Sequence, residues 1–363
     1  MTDASVFPAA NESDLQQEGP LRFSFSGSGG EYFRIWIVNL LLSIVTLGIY
    51  SAWAKVRRTK YFYGNTIVAG SSFEYHGNPL AILKGRFVAV ILIVAYNIAL
   101  KSSGMVALLM IIAVALAAPW LIWKSLQFKL HNSSYRGIRF GFRGSLKQAY
   151  IVYLLLPFLS GLTLLLAAPF AHQRLKRFQH QESRFGATHF SFDATVGAFY
   201  KSYLTVFAIW LAGFVVISFL LGGSLFGLIM SGNMNSAAAG ATSALAIFTF
   251  VFAMYVWMFL VFPIFATLIQ NLIWNHTQLG LHRFQSDMKW TRVAYIAITN
   301  IIGIICTLGL FMPFAQIRYM KYRVESMTLI ADGSLDHFVA ATQAEASATG
   351  EGMADLLDFD LSL

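Results

Sequence analysis

Seven long apolar stretches dominate the pattern of hydrophobic and polar positions along the chain. The first of them, residues 35–54, contains 20 uncharged residues, enough for a helix to cross the ~30 Å hydrocarbon core of a bilayer. The others cover residues 87–100, 102–123, 149–171, 203–230, 242–269 and 293–317. Residues 202–282 contain no Asp, Glu, Lys or Arg, which a soluble fold does not sustain on its surface. The pattern predicts a mainly α-helical, polytopic membrane protein.

Short β-like motifs separate these apolar stretches. The pattern aromatic–x–aromatic–x–Gly begins at Phe23, Phe73 and Phe140, and returns at Phe190 with Ala194 in the glycine position. Such alternation, ending at a glycine, is typical of a strand followed by a turn. We therefore expect short β-hairpins that gather on the cytoplasmic face into a small sheet, with an aromatic core beneath it.

Residues 65–79 predict one of these hairpins in more detail. We expect the first strand at residues 66–69, the turn at Gly70 and Ser71, and the second strand through Phe73 and Tyr75.

The stretch TLGIYSAWAKVRRTKY, residues 46–61, returns twice in degraded form. Shifts of 117 and 261 residues align it without gaps, and the recurring positions are an intramembrane Thr and two bases. The matching sets are Thr46, Thr163 and Thr307; Arg57, Arg174 and Arg318; and Lys60, Arg177 and Lys321. We therefore predict a membrane domain at 21–323 with internal repeats at about 21–137, 138–281 and, as a partial copy, 282–323.

Composition strengthens the membrane interpretation and separates the charges. The chain is 57% hydrophobic and 12% charged, against roughly 25% charged for an average soluble domain. All 26 Lys and Arg lie between residues 22 and 323, which hold only five acids. We expect a flexible acidic tail at 1–20 and an acidic, largely disordered tail at 324–363. Bases interspersed with apolar spans follow the positive-inside rule, so nucleic acid is not an expected partner.

The distribution of bases also predicts topology. If all seven apolar segments crossed the membrane, the two faces would carry 11 and 15 bases, almost no bias. If the three repeated segments instead dip in and return, one face carries 25 bases and the other carries one. Loop charge favours the second arrangement, with both termini cytoplasmic. An ordinary crossing helix with an incidental glycine at Gly48 remains the alternative.

The stretch FSGSGGEYFRIWIVNLLLSIVTLGIYSAWAKVRRTKYFYGNT, followed by FEYHG, resembles the YjgN family of bacterial inner-membrane proteins, which is defined by a domain of unknown function. The resemblance covers residues 21 to about 330. It implies a multi-pass protein of the bacterial inner membrane and supplies neither an activity nor catalytic residues.

The sequence offers few candidates for chemistry, so an enzyme is not the favoured interpretation. The histidines lack metal-ligand spacing, the single Cys306 lies in an apolar run, and no phosphate-binding loop occurs; we expect neither metal nor cofactor. The candidate intramembrane polar positions are Asn39, Thr46, Thr163, Asn300 and Thr307. The repeated bases Arg57, Lys60, Arg174, Arg177, Arg318 and Lys321 are candidates for binding anionic lipid headgroups, or serve only as topology anchors.

Two functions remain open from the sequence. The first is a passive transporter, channel or lipid-handling protein, because ionisable residues that mark proton relays are absent from the apolar stretches. The second is a structural or interaction protein that binds anionic lipid or protein partners through its basic cytoplasmic face. The lipid bilayer is the expected environment, and the sequence does not determine the oligomeric state.

Overall fold

A computed structural model describes residues 19–230, 237–333 and 338–342. Most of the two predicted acidic tails, and the joint that begins at Ser231, lie outside the described residues. The predicted C-terminal tail at 324–363 nevertheless begins inside the fold, because a helix continues to Glu325 and a strand follows it.

Helices form most of the described chain and come in five antiparallel pairs, hairpins 1 to 5. Their bounds are α1 Gly29–Val45 and α2 Ser51–Gly64 in hairpin 1; α3 Pro79–Ser102 and α4 Gly104–His131 in hairpin 2; α5 Leu146–Tyr150, α6 Leu156–Leu162 and α7 Ala168–Gln181 in hairpin 3; α8 Val196–Ile217, α9 Gly223–Met230 and α10 Ala237–Asn275 in hairpin 4; and α11 Trp290–Cys306 and α12 Met312–Glu325 in hairpin 5. Turns of π-helix at Ile151–Leu155 and Ser218–Gly222 join α5 to α6 and α8 to α9.

Short strands connect the hairpins. They are β1 Leu21–Arg22, β2 Ser24–Phe25, β3 Thr66–Val68, β4 Ser71–Tyr75, β5 Ser133–Tyr135, β6 Ile138–Phe142, β7 Ser183–Phe185, β8 Thr188–Phe192, β9 Thr277–Leu279, β10 His282–Ser286 and β11 Met327–Ile330. Every neighbouring pair is antiparallel, in the order β1-β11-β10-β9-β8-β7-β6-β5-β4-β3-β2.

This sheet closes on itself. Strands β1 and β2 are halves of one extended segment, separated by Phe23; the first half pairs with β11 and the second with β3. The Phe23 N–H donates to the Met327 carbonyl at 3.0 Å, which continues the ladder through the junction. We call the closed sheet the strand ring. The observed sheet is therefore larger than the small sheet expected from the sequence. The expectation missed the β1–β11 pairing that closes the ring, because it joins segments about 300 residues apart.

The helices form a second closed ring on one side of the strands. Each arm packs against its partner in the hairpin and against an arm of the next hairpin, and α12 packs against α1 to complete the circle. We call this the helix ring. Its order is α1, α2, α3, α4, the arm α5–α6, α7, α8, α10, α11 and α12.

Side-chain caps fix where helices meet strands. The N-cap side chains of Ser28, Asn78, Ser145 and Thr195 accept N–H groups of the helices that follow β2, β4, β6 and β8. At the other end of the hairpins, the hydroxyls of Thr66, Ser133, Ser183, Thr277 and Ser326 each donate to the carbonyl four residues earlier, at 2.6–2.8 Å. Both ends of hairpins 1 to 4 are therefore fixed by side chains beside the strand ring, whereas hairpin 5 has such a bond only at its end, because Lys289 at the start of α11 makes no side-chain cap.

Among the residues that the structure describes, four helices are long and apolar enough to cross a membrane: Pro79–Ser102, Gly104–His131, Val196–Gly222 and Ala241–Asn275. They belong to hairpins 2 and 4. The chain is thus a mainly helical, polytopic membrane protein. The segments predicted at 35–54, 149–171 and 293–317 are not single straight helices, since each contains the turn of hairpin 1, 3 or 5.

Aromatic side chains fill the strand ring. The phenyl rings of Phe284, Phe190, Phe140 and Phe73 follow one another from Phe23 with centroid separations of 6.2–6.5 Å. Four of these five phenylalanines begin the aromatic–x–aromatic motif found in the sequence. Phe284 does not, because Ser286 occupies the second aromatic position. On the side away from the helices, the helical residues 338–342 cover the strand ring, with Phe338 against His282 and Val339 buried in the same core.

The predicted turn at Gly70 and Ser71 was wrong by one residue. Ala69 and Gly70 form it, with φ angles of 47° and 71°, and Ser71 already belongs to β4. Two left-handed residues suit the twist of a two-residue hairpin, and glycine favours the second position.

Candidate functional site

The turns of hairpins 1, 3 and 5 share one construction. In hairpin 1 the Leu47 N–H donates to the Ile44 carbonyl and the Gly48 N–H to the Ser43 carbonyl. This is the Schellman arrangement that ends a helix, with Leu47 left-handed at φ 48°. Hairpins 3 and 5 repeat the bonds at residues 160–165 and 304–309. The turns occur where the sequence predicted a reversal.

The three predicted intramembrane threonines clamp these turns. Each hydroxyl donates to the carbonyl four residues before it, at 2.7–3.1 Å, and accepts the N–H four residues after it, at 2.9–3.1 Å. Thr46, Thr163 and Thr307 therefore join the end of one arm to the start of the next. Their polar atoms are occupied by the backbone.

The tips themselves are apolar and unusually exposed. Leu47, Leu164 and Leu308 are 94, 87 and 96% exposed. Each tip therefore presents a large apolar side chain outside the packed helices.

The six repeated bases do not converge on one site. They lie on α2, α7 and α12, three arms that are not neighbours in the helix ring. Arg57, Lys60, Arg174, Arg177 and Lys321 are exposed, and Arg318 is half-buried. Lys321 forms an exposed ion pair with Glu325 at 3.8 Å, an arrangement of small energetic value.

Hairpin 3 combines two of these bases with an apolar groove. Arg174 and Arg177 line a groove of about 300 Å³ together with the side chains of Ile151, Val152, Leu156, Phe170 and Phe178. The guanidinium of Arg174 lies 5.2 Å from the centroid of the Phe170 ring. Gln148, Gln181 and Glu182 complete the lining. The groove thus has a cationic end and an apolar wall.

The two predicted polar positions Asn39 and Asn300 lie between hairpin arms. Asn300 accepts a hydrogen bond from Arg318 Nη1 at 2.8 Å and donates to the Ala315 carbonyl at 3.1 Å. Asn39, at the equivalent position of hairpin 1, is 7% exposed, and its Oδ1 has no partner.

Helix α7 carries a second polar face that the sequence interpretation missed. His172 Nδ1 lies 3.0 Å from the Tyr203 hydroxyl, and His180 Nδ1 lies 3.1 Å from the Thr277 hydroxyl. Burial, and the nearby charge of Lys176, lower the pKa of both imidazoles from 6.5 to about 4, so both are neutral at pH 7. The signal available in the sequence was Gln173, which stands where the other two copies have Val56 and Ile317.

Comparison with known proteins locates the chain in a family. A family model described as a bacterial protein of unknown function (DUF898) matches residues 20–356. The inner membrane protein YjgN of Salmonella typhimurium (strain LT2) is 24% identical over 85% of this chain and 88% of its own length. The proteins of that name from Escherichia coli K12 and O157:H7 are 34 and 32% identical over 41% of this chain and 37% of their own lengths. No solved structure matches. The resemblance seen in the sequence is therefore confirmed, and the chain belongs to the YjgN family of bacterial inner-membrane proteins.

Proposed function

We propose that this protein binds and organises anionic phospholipids at one face of the inner membrane, with its three short hairpins inserted into a single leaflet. The observation that carries this proposal is the spacing within those hairpins. An exposed apolar tip lies at one end, and exposed bases follow on the returning arm.

The dimensions fit one leaflet and not two. From Ile35 to Val45, α1 has 11 uncharged residues, about 16 Å of helix, which is roughly half of a ~30 Å hydrocarbon core. On the returning arm Arg57 follows Ser51 by six residues, about 9 Å, and Lys60 follows by about 14 Å. With Leu47 near the bilayer centre, these bases reach the headgroups, aided by their long side chains.

The same geometry supports a cytoplasmic strand ring. Hairpins 2 and 4 cross and return, so every hairpin begins and ends beside the strands. The bases then divide 25 to one between the two faces, with Lys101 alone on the far side, and the positive-inside rule assigns the crowded face to the cytoplasm.

The groove of hairpin 3 is the lipid site that we propose on that face, because it joins two arginines to an apolar wall. A phospholipid has a phosphate for Arg174 and Arg177 and acyl chains for the apolar wall. Arginine suits this role, since its planar fork can bond two phosphate oxygens at once.

The alternative of a passive pathway has less support. Of the candidate polar positions that could line a route for solute, Asn300 is instead bonded to Arg318 and to the backbone of α12.

Lipid binding is tested by native mass spectrometry of the purified protein with phosphatidylglycerol or phosphatidylcholine. We expect preferential retention of phosphatidylglycerol and at least tenfold weaker retention after Arg174→Gln with Arg177→Gln, since each charged hydrogen bond contributes about 1.5–3 kcal/mol. Lys101→Gln is the matched control on the far face. Equal retention of both lipids, or no effect of the double variant, would contradict the proposal.

Single cysteines test the insertion of the short hairpins in the Cys306→Ser background. An added side chain meets open space at both Gly30 and Gly64, which lie at the start and end of hairpin 1. We expect a membrane-impermeant maleimide to label Gly30→Cys and Gly64→Cys from the same side, and Ser103→Cys from the other. Labelling of the first two from opposite sides would mean that residues 35–54 cross the membrane.

A further inference from the structure

A pocket of about 620 Å³ lies at the base of hairpin 5, where the start of α11 meets the end of α12. Two acids and two bases line it, together with two tyrosines. The charged residues are Asp287, Glu325, Lys289 and Arg292. Both signs of charge are therefore present in one space.

The two acids of this pocket lie together. The Asp287 N–H donates to the Ser326 carbonyl at 3.1 Å, which holds Asp287 beside the end of α12, next to Glu325. The two bases belong to the start of α11: Lys289 is its N-cap residue, and Arg292 lies in its first turn.

These opposite charges are not paired with one another. Among the residues that the structure describes, no ion pair joins an acid of the pocket to a base of the pocket, and the partner of Glu325 is Lys321, outside the lining. The pocket therefore offers a ligand both an anionic and a cationic group that are still free to bind it.

The same corner of hairpin 1 shows that the fold does not require these charges. There the Tyr61 hydroxyl lies 3.1 Å from a carboxylate oxygen of Glu31. At the equivalent positions hairpin 5 has Tyr322 and Arg292, so a cation replaces the acid that the tyrosine contacts. Hairpin 1 likewise has Ser26 in place of the pocket's first acid and no acid in place of the second.

We propose that this pocket binds the phosphoethanolamine headgroup of a zwitterionic phospholipid. The ammonium group donates hydrogen bonds to Asp287 and Glu325, and the phosphate accepts them from Lys289 and Arg292. Helix α11 also favours the phosphate, because Lys289 makes no side-chain cap and an anion can accept N–H groups of the first turn in its place. Neither the site nor the ligand is that of the groove in hairpin 3.

The pocket is better suited to a primary ammonium than to the trimethylammonium of phosphatidylcholine. A trimethylammonium group has no N–H to donate to a carboxylate, and proteins recognise it chiefly over aromatic faces. The ring of Tyr295 already has the Arg292 guanidinium 5.4 Å from its centroid. The Tyr322 hydroxyl accepts the Lys289 N–H at 2.8 Å. The two carboxylates are therefore the groups that recognise the ammonium.

An exposed apolar stripe leads from the pocket towards the tip of hairpin 5. Tyr295 lines the pocket, and Ile298, Ile302 and Ile305 follow it at spacings of three and four residues, on one face of α11. All four side chains are exposed. An acyl chain along this stripe continues from a headgroup in the pocket, which favours a lipid over a free zwitterion as the ligand.

The test is native mass spectrometry of the full-length protein in detergent, with equal amounts of phosphatidylethanolamine and phosphatidylcholine that carry the same acyl chains. We expect phosphatidylethanolamine to be retained about tenfold more strongly, and Asp287→Asn to remove most of this preference, because a charged hydrogen bond is lost. Glu325→Gln should act in the same direction. Glu74→Gln removes an exposed acid of β4 and is the matched control, which should keep the preference.

The other variants separate the two halves of the headgroup. Arg292→Gln should weaken the retention of both lipids, since both carry a phosphate, and free O-phosphoethanolamine should compete poorly because it lacks acyl chains. The proposal is overturned if the unchanged protein retains both lipids equally, if Glu74→Gln removes the preference as Asp287→Asn does, or if free O-phosphoethanolamine displaces the lipid at equal concentration.

This site can fail or hold independently of the proposed function. Arg174→Gln with Arg177→Gln should leave the preference for phosphatidylethanolamine unchanged, while Asp287→Asn should leave the retention of phosphatidylglycerol unchanged, since that lipid has no ammonium group. Loss of phosphatidylglycerol binding alone would therefore count against the groove of hairpin 3 and not against this pocket.

Discussion

Hairpins 1 and 5 have the same design and differ in how one arginine is used. Each pairs a 17-residue helix with a 14-residue helix across a Thr-Leu-Gly turn. In hairpin 5, Arg318 donates to Asn300. In hairpin 1, Arg57 instead donates to the Tyr50 hydroxyl at 3.0 Å, and the equivalent Asn39 is left with an unpartnered oxygen.

One hydroxyl group accounts for this difference. The residue of hairpin 5 equivalent to Tyr50 is Phe311, which offers no acceptor and packs against Gly303. Leu42 occupies the glycine position in hairpin 1. Hairpin 3 differs from both, because Leu156 replaces the asparagine and the Arg174 guanidinium lies over the Phe170 ring. A repeated base thus need not have a repeated role.

The largest expected effect comes from removing the asparagine of hairpin 5, and the equivalent asparagine of hairpin 1 is its comparison. Asn300→Leu leaves the Arg318 guanidinium and the Ala315 carbonyl without their partner, so we expect a loss of about 2–3 kcal/mol of unfolding free energy. Asn39→Leu removes an unsatisfied buried acceptor and should be neutral or slightly stabilising. Unfolding followed by tryptophan fluorescence in detergent measures both. Equal losses would show that the two asparagines have the same role.

A dependence of stability on pH distinguishes hairpin 3 from both. Its imidazoles at His172 and His180 have pKa values of about 4 in the folded state and about 6.5 when unfolded. The unfolded chain therefore binds more protons between these values, and stability is full above pH 6.5 and falls as the pH drops towards 4. We expect the unfolding temperature to fall by several degrees over this window.

His172→Gln and His180→Gln, at the two positions where hairpins 1 and 5 have no histidine, should flatten that profile. A decline that is unchanged in the double variant would assign the pH dependence to other groups.

The smallest effect is expected from Tyr50→Phe, which makes hairpin 1 resemble hairpin 5. The exposed hydrogen bond is lost, at a cost of about 0.5–1.5 kcal/mol, and Arg57 becomes free to turn towards Asn39. A double-mutant cycle is the measurement. Asn39→Leu should become destabilising only in the Tyr50→Phe background, and a coupling energy near zero would show that Arg57 cannot reach Asn39.

Local patterns predicted the features that depend on local chemistry. The long uncharged stretches of α4, α8 and α10 predict helices that cross the membrane. The Thr-Leu-Gly stretch predicts a reversal of the chain, and Gly48 and Gly309 indeed adopt φ angles near 90° there. Hairpin 3 makes the same turn with Leu165 at φ 69°, so the glycine is helpful and not indispensable.

The remaining features depend on contacts that a single sequence does not reveal. Closure of the strand ring pairs Leu21 with Leu329, and no local pattern carries that register. Sequence spacing can test the two histidines of α7 only as metal ligands. It does not reveal their burial, because that depends on neighbours on other elements.

The closure of the strand ring has a consequence for biosynthesis. The ribosome makes Leu21 and Arg22 some 300 residues before their partner β11, so half of the first strand waits unpaired while all five hairpins are made. Because an unpaired strand edge is open to wrong partners, we expect this chain to need either rapid folding or a protecting factor during that interval. Completion of the fold is thereby tied to synthesis of β11, and products truncated before Met327 would remain open rings.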